Sequence, residues 1–339
     1  MKGYALLALG AAILLLLLPL PALFASGGEL PAAAPAGTES TPAAPTTATT
    51  TAPAATPDES KAVFRLLVGS TVIELEEREF LIRTLAFEMP AAYHTEALKA
   101  QAVAAYTYYS RQRQRQQEKA DPALQGADFA TPDPAFPEGY TQAALQERWG
   151  EKYTVYYNKL SAAVDAVLGK TITYQGALID ACYFALSPGA TDAAATVWGN
   201  EVPYLQPVAS PGDKLSPQYE TVVTFSAEEL KSKLCAAYSG LQLPEDPTGW
   251  LGTPTTAETG TVTGLPVGGQ TLTGAQIRQA LGLRSACFTV TCADGQFRFT
   301  VHGYGHNVGM SQYGADYLAR QGYGYEEILK YYYTGVSVG

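Results

Sequence analysis

ACFTVTCADGQFRFTVHG (286–303), continuing as YGHNVGMSQYGADYLARQG (304–322), is the stretch on which the architecture turns. Its first half holds two short runs rich in apolar and β-branched residues on either side of Asp294-Gly295, the pattern of an antiparallel hairpin. In the second run Phe297, Phe299 and Val301 point one way and Arg298, Thr300 and His302 the other, as the two-residue strand period requires. The chain then passes through a glycine-rich loop into a helix that Gly322 is placed to end. Working outward, residues 62–68 and 71–75 read as a short hairpin or two strands. Residues 77–89 read as a helix with Phe80, Leu81, Thr84, Leu85 and Glu88 on one face, stopped by Pro90. Thr95 is the expected N-cap of an Ala-rich helix, EALKAQAVAAYTYYSRQRQRQ. Further helices are expected at 142–148, 151–168, 226–238, 274–281 (capped by Thr273) and 325–331. Strands are expected at 170–174, 177–185 and 219–225. Strands and helices mix without regular βαβ alternation, so the fold class is α+β. A dip rich in Pro, Thr and Gly at 243–262 reads as a long surface loop or insertion boundary, not a domain break.

The chain has 339 residues, with 22 Lys plus Arg against 32 Asp plus Glu, for a net charge of −10. No basic stripe can be drawn, which argues against a nucleic-acid partner. Three His and four Cys are too few for a multi-metal enzyme or a dense disulfide scaffold. Residues 4–25, YALLALGAAILLLLLPLPALFA, carry no charge. At ~1.5 Å per residue they reach about 33 Å, close to the thickness of a bilayer's hydrocarbon core. Lys2 before this span and Glu29 after it favour a cytoplasmic N-terminus. A cleaved secretory signal is the competing reading, because Pro19 and Pro21 interrupt the outer end and Ala22 to Ala25 form a passable cleavage site. The uncleaved anchor is favoured, and either reading exports the rest of the chain. Residues 26–60 are nearly all Pro, Ala, Thr, Ser and Gly, too poor in apolar bulk to order themselves. They read as a disordered tether with a reach of up to roughly 100 Å. The expected organisation is thus a membrane anchor (1–25), a linker (26–60) and one exported mixed domain (61–339).

Two features could carry chemistry. Glu88 ends the apolar run LIRTLAFEMP, where loss of solvation would raise its pKa and leave it able to act as a general acid. From this feature alone, a solvated glutamate at a helix end is the favoured reading. HGYGHNVG (302–309) sets His302 and His306 four apart among glycines. That spacing would suit a zinc pair only on a helix, which the glycines disfavour, and no third ligand is near. A ligand-binding backbone and a tight structural turn remain equal alternatives. Cys287 and Cys292 fall on opposite faces of one strand and should not pair without a bulge. Either could bond Cys235 or Cys182, with buried free thiols the alternative. A triad of Ser187 or Cys182 with His306 has no support from spacing.

Two strings carry a resemblance. EMPAAYHTEALKAQAVAAYTYY (88–109) and GYGHNVGMSQYGADYLARQGYGYEEILKYYYTGV (303–336) resemble the signature segments of the SpoIID/LytB family, and YFALSPGATDAAATVWGNEVPYLQPV (183–208) resembles its middle segment. The similarity runs from about residue 62 to the C-terminus. It implies an exported peptidoglycan lytic transglycosylase behind a single membrane segment, acting in spore engulfment on glycan strands stripped of stem peptides. It also implies a partner amidase and a further membrane protein. The family's catalytic glutamate is the one in the EMP string, here Glu88. A lytic transglycosylase needs only one carboxyl group, whereas a glycosidase ordinarily needs two. Positioning of the sugar would then fall to Gln101, Tyr106, Tyr183, Ser187, His302, His306, Ser311 and Gln312. The LytB-type relatives imply a second possibility, a non-catalytic peptidoglycan-binding amidase enhancer. A purely structural wall tether is a third. The sequence departs from the family where Tyr106 replaces an Arg and Pro188 replaces a Gly. The loop 120–142 also lacks the Cys and His with which some members bind zinc, so neither zinc nor another cofactor is expected.

Overall fold

The computed structural model describes residues 62–131, 133 and 135–339. The expected anchor and tether lie outside the described residues. No described helix is long and apolar enough to cross a membrane.

The chain opens with β1 (Val63–Val68) and β2 (Thr71–Glu76), an antiparallel hairpin with Val63 opposite Glu76. α1 (Glu77–Glu88) follows without a loop, and Glu77 and Glu79 in its first turn suit the positive end of the helix dipole. α1 is nearly enclosed, burying Phe80, Leu81, Ile82, Leu85 and Phe87. α2 (Thr95–Glu118) is the central helix. Its fully buried Ala97, Ala100, Ala102, Ala104 and Ala105 present no side-chain bulk, which lets neighbouring elements lie close. Its N-cap is His94 and not Thr95. The His94 ring accepts the Glu96 N–H at 3.3 Å, and the His94 backbone N–H donates to Asp316 Oδ1 at 2.5 Å. β3 (Phe129–Ala130) adds parallel to β1. Next come α3 (Gln142–Trp149), α4 (Tyr153–Asp165), β4 (Ile172–Tyr174), β5 (Ala177–Leu178), β6 (Tyr183–Phe184) and α5 (Ala194–Trp198).

The chain then builds a second body of structure: β7 (Glu220–Ser226), α6 (Ala227–Ala237), β8 (Thr255–Thr256), β9 (Val262–Val267), β10 (Gln270–Leu272), α7 (Gly274–Leu281), β11 (Phe288–Ala293) and β12 (Gln296–His302). β12 is the centre of a β11–β12–β7 sheet, and Phe297, Phe299 and Val301 face inward as the alternation requires. α6 and α7 both begin with capping boxes, from Ser226 and Glu229 and from Thr273 and Gln276. The last elements are β13 (Met310–Ser311), α8 (Gln312–Arg320), α9 (Tyr325–Tyr332) and β14 (Ser337–Val338). α8 stops at Arg320, one residue before Gln321 and two before Gly322, which has φ of +96°.

The fold is mixed α+β, and its apolar residues form two clusters. One runs from Phe64 to Leu205 and resumes from Val308 to Val336; the other is drawn from Phe225 to Val301. Residues 243–262 are not merely a surface loop. Trp250 is buried in the second cluster, stacked on Phe297 with centroids 5.6 Å apart, and its indole N–H donates to Pro244 O at 2.7 Å. The two clusters meet where Thr259 and Thr261 both donate hydroxyls to buried Asp192 at 2.6 Å, and Asn307 Nδ2 donates to the same carboxylate at 2.8 Å.

Candidate active site

Glu88 is the last residue of α1, and Pro90 prevents the helix from running on. Its side chain is only 2 % exposed. Oε2 accepts a hydrogen bond from Gln312 Nε2 at 3.3 Å, and Oε1 has no partner. Burial pushes its pKa up to about 8, against a lowering by the Gln312 amide. The negative end of α1 also disfavours a charge there. At neutral pH the group is a carboxylic acid with a proton to give.

Gln312 is the first residue of α8, held at Glu88 by what precedes it. β13 lies parallel to β6, with Met310 opposite Tyr183 and Ser311 opposite Phe184. Gly309 enters this ribbon with φ of +82°, and a Cβ there would come 2.1 Å from Cys182 O, so only glycine fits. Ser311 caps α8 by accepting the Gly314 N–H at 3.1 Å, and its hydroxyl donates to Asp213 Oδ1 at 2.9 Å. Asp213 is fully buried in the 3-10 turn Pro211–Leu215. Its other oxygen accepts the Ser187 N–H at 3.0 Å and the Ser187 hydroxyl. Burial raises the Asp213 carboxyl to about 6, opposed by these hydrogen bonds. The Ser187 and Ser311 hydroxyls are therefore tied to one carboxylate, and neither is turned toward a ligand.

Tyr183 on β6 and Tyr109 on α2 flank Glu88. Both phenols are raised well above their ordinary value, by burial first and by a charge on Glu88 second. The Tyr183 hydroxyl lies beside the Tyr109 phenol, and neither polar atom of the fully buried Gln101 on α2 has a hydrogen-bond partner. Buried polar atoms without partners are uncommon and mark places where a ligand or water is owed.

The remaining sequence candidates lie elsewhere. His306 sits behind β6, between the Phe184 and Trp198 rings, with centroids 5.5 and 5.4 Å away. Its Nδ1 accepts the Val308 N–H at 3.2 Å, so Nε2 carries the proton donated to Tyr183 O at 3.1 Å. Burial first and the Arg278 charge second push its pKa down to about 3, so the ring is neutral. Tyr106 donates to Glu77 Oε2 at 2.7 Å, beside the Arg113 bond to Oε1 at 2.7 Å. Glu77 is at the far end of α1 from Glu88, about 16 Å along the axis at ~1.5 Å per residue. Tyr106 thus braces the start of the helix. His302 ends β12 in the second body, stacked on Tyr219 at 5.1 Å and paired with Glu220 at 3.0 Å. Among the described residues, no three His, Cys, Asp or Glu side chains gather as a metal site. All four cysteines are free thiols.

A model of the stage II sporulation protein (SpoIID) family matches residues 69–174. Stage II sporulation protein D of Bacillus subtilis strain 168 is 36 % identical over 273 residues, covering 80 % of this chain and 76 % of that protein. The chain belongs to the SpoIID family. The stage II sporulation protein D of Bacillus amyloliquefaciens is 37 % identical over 262 residues, 77 % of this chain and 73 % of that protein. A more distant relative, the amidase enhancer of B. subtilis, is 27 % identical over 309 residues, 74 % of this chain and 39 % of that protein. The part matched by the SpoIID model holds Glu88, Gln101 and Tyr106; Gln312 and Asp213 come from beyond it.

Asp213 and Tyr109 are the site residues that sequence reasoning missed. Asp213 stands in an unremarkable PGDKL run, and its partners are 26 and 98 residues away in sequence. Tyr109 had a signal, since it lies in the same string as Gln101 and Tyr106, but nothing local separates it from its neighbour Tyr108.

Proposed function

We propose that this SpoIID-family chain is a peptidoglycan lytic transglycosylase. It cleaves the MurNAc-GlcNAc linkage of glycan strands freed of stem peptides and leaves 1,6-anhydro-muramic ends. The observation that carries the reading is the Glu88 carboxyl, buried, raised to about 8, with Oε1 unpartnered. As the acid it donates its proton to the bridging oxygen. As the resulting carboxylate it takes the proton of the muramoyl C6 hydroxyl while that oxygen closes on C1. One group serves both steps because its pKa lies near the working pH. The Gln312 N–H steadies the carboxylate that forms between them. Among the described residues no second carboxylate bonds to Glu88, and Asp213 is bound up with Ser187 and Ser311. A water-activating partner is therefore not needed by this scheme, nor supplied by a near neighbour.

The protein would act outside the cytoplasmic membrane, in engulfment during sporulation, with an amidase that strips the strands and a further membrane protein beside it. The test is digestion of denuded strands by the full chain with mass spectrometry of the products. Anhydro-muramic ends should appear, and Glu88→Gln should reduce them by about 10²–10⁴-fold, the range for loss of a general acid-base. Intact strands after exposure to the wild-type chain would end the proposal.

The near-complete burial of Glu88, together with the amidase-enhancer relative, favours a second reading, a glycan-binding enhancer of an amidase. It predicts binding to strands without cleavage and faster stem-peptide release by an added amidase, unaltered in Glu88→Gln.

A further inference from the structure

A cavity of about 70 Å³ lies between the two bodies of the protein, and neither Glu88 nor Gln312 lines it. α5 and the 305–307 loop supply one wall through Trp198, His306 and Asn307. α7 and its neighbours supply the other through Ala275, Arg278 and Ser285. One of these groups has an unsatisfied atom, and another is a cation without a counter-ion. Asn307 is 5 % exposed; its Nδ2 donates to Ala190 O and Asp192, which fixes the amide orientation and leaves Oδ1 as an acceptor with no donor. Arg278 donates Nε–H to Arg284 O at 3.1 Å, and among the described residues no carboxylate lies within ion-pair distance of it. A half-buried guanidinium without a counter-ion is costly, and its fork is shaped for a carboxylate. Trp198 adds an aromatic wall, and His306, being neutral, adds no competing charge.

Size narrows the ligand. Sites for whole small molecules run to about 300–1,000 Å³, so this cavity takes a substituent and not a saccharide ring. The substituent must carry an anion for Arg278, next to a donor for Asn307 Oδ1. A muramoyl residue has this pair on adjacent carbons: an acetamido N–H on C2 and a lactyl ether on C3 that ends in a carboxyl group. That carboxyl is a free anion only where the stem peptide has been removed; otherwise it is an uncharged amide.

We propose that this cavity is a subsite for the free lactyl carboxylate of a muramoyl residue, with Arg278 as the cation that receives it and Asn307 Oδ1 as the acceptor beside it. The assignment rests on the glycan substrate proposed above and names what in this chain would tell stripped strands from peptide-bearing ones. His306 joins the two places, since its ring lines the cavity while its Nε2–H holds the Tyr183 backbone whose side chain flanks Glu88.

The experiment measures equilibrium binding by the full chain carrying Glu88→Gln, so that no strand is cut. The probes are denuded glycan strands and the same strands with every lactyl carboxylate converted to its methylamide. The free-carboxylate strands should bind about ten- to a hundredfold more tightly, the worth of one charge-assisted pair. Arg278→Gln should erase that preference while leaving affinity for the methylamide strands and the melting temperature unchanged; Arg278→Lys should keep part of it. Should Arg278→Gln misfold, Ala275→Glu, one turn earlier on α7, leaves the arginine in place and offers it an internal counter-ion, and should erase the preference equally. Equal binding of both strands, or a preference that survives Arg278→Gln or Ala275→Glu, overturns the subsite. Because nothing is cut, a wild type that fails to cleave denuded strands would sink the lytic reading and leave this result standing.

Discussion

At the scale of single residues the chemistry rests on a carboxyl whose environment outweighs its intrinsic acidity. An unfolded glutamate titrates near 4.5, whereas Glu88 in the fold is raised to about 8. Between those values the native state holds a proton that the unfolded chain has released. Stability therefore falls as pH rises from about 4.5 to 8, by up to ~3–5 kcal/mol from this group alone. Glu88→Gln removes the titration, so its melting temperature should exceed that of wild type at pH 8 and match it at pH 4. A variant equally stable or less stable at pH 8 would place the carboxyl in contact with water. The acid step has its own signature: cleavage should decline as pH climbs through about 8, because the donor form disappears. Position 88 stood out in the sequence because a lone acid follows an apolar run, but that feature alone favoured a solvated glutamate, and the resemblance singled it out. Its burial was not legible, because the site is closed by tertiary packing, and the side chain that bonds it, Gln312, lies 224 residues away.

At the scale of elements the decisive unit is the β13–α8 junction. Ser311 ends the strand, caps the helix and ties both to Asp213, which anchors Ser187 as well. Asp213 touches no substrate in this scheme; it is a positioning residue that acts through Gln312. Asp213→Ala would strand three donors, at a cost of about 2–4 kcal/mol. It should lower kcat with little change in KM and displace the pH limb that Gln312 sets by donating to Glu88. Asp213→Glu should restore neither, because a carboxylate shifted by one methylene no longer meets both the Ser187 and the Ser311 hydroxyls. A pH profile identical to wild type would reduce Asp213 to a purely structural role. The elements themselves were largely readable: apolar spacing gave α1, Asp-Gly gave the β11–β12 hairpin, and Thr273 gave the start of α7. What stayed hidden was tertiary. His94 became a cap because Asp316 binds its backbone, and Trp250 turned an apparent loop into core by stacking on Phe297.

At the scale of the molecule, two apolar clusters share one polar joint. Asp192 is buried, accepts from Thr259 and Thr261 of the second body, and is held by Asn307 of the first. Composition did not reveal this: the Pro- and Thr-rich dip read as a surface loop or insertion boundary within one domain, and the partners of Asp192 lie 67, 69 and 115 residues away. The joint has a mechanical consequence for the glycan. Asn307 also lines the cavity that faces Arg278, so its side chain is fixed by the same carboxylate that fastens the bodies together. Asp192→Ala leaves three donors without their acceptor and removes the carboxylate that links Thr259 and Thr261 to Asn307. It should destabilise by about 2–4 kcal/mol. It should also uncouple unfolding: in a background carrying Trp149→Phe and Trp198→Phe, the fluorescence of Trp250 should lose its native signal at lower urea than the near-ultraviolet signal of the tyrosine-rich first body. Coincident transitions in the variant would mean that apolar packing alone, and not this joint, makes the two clusters fold as one.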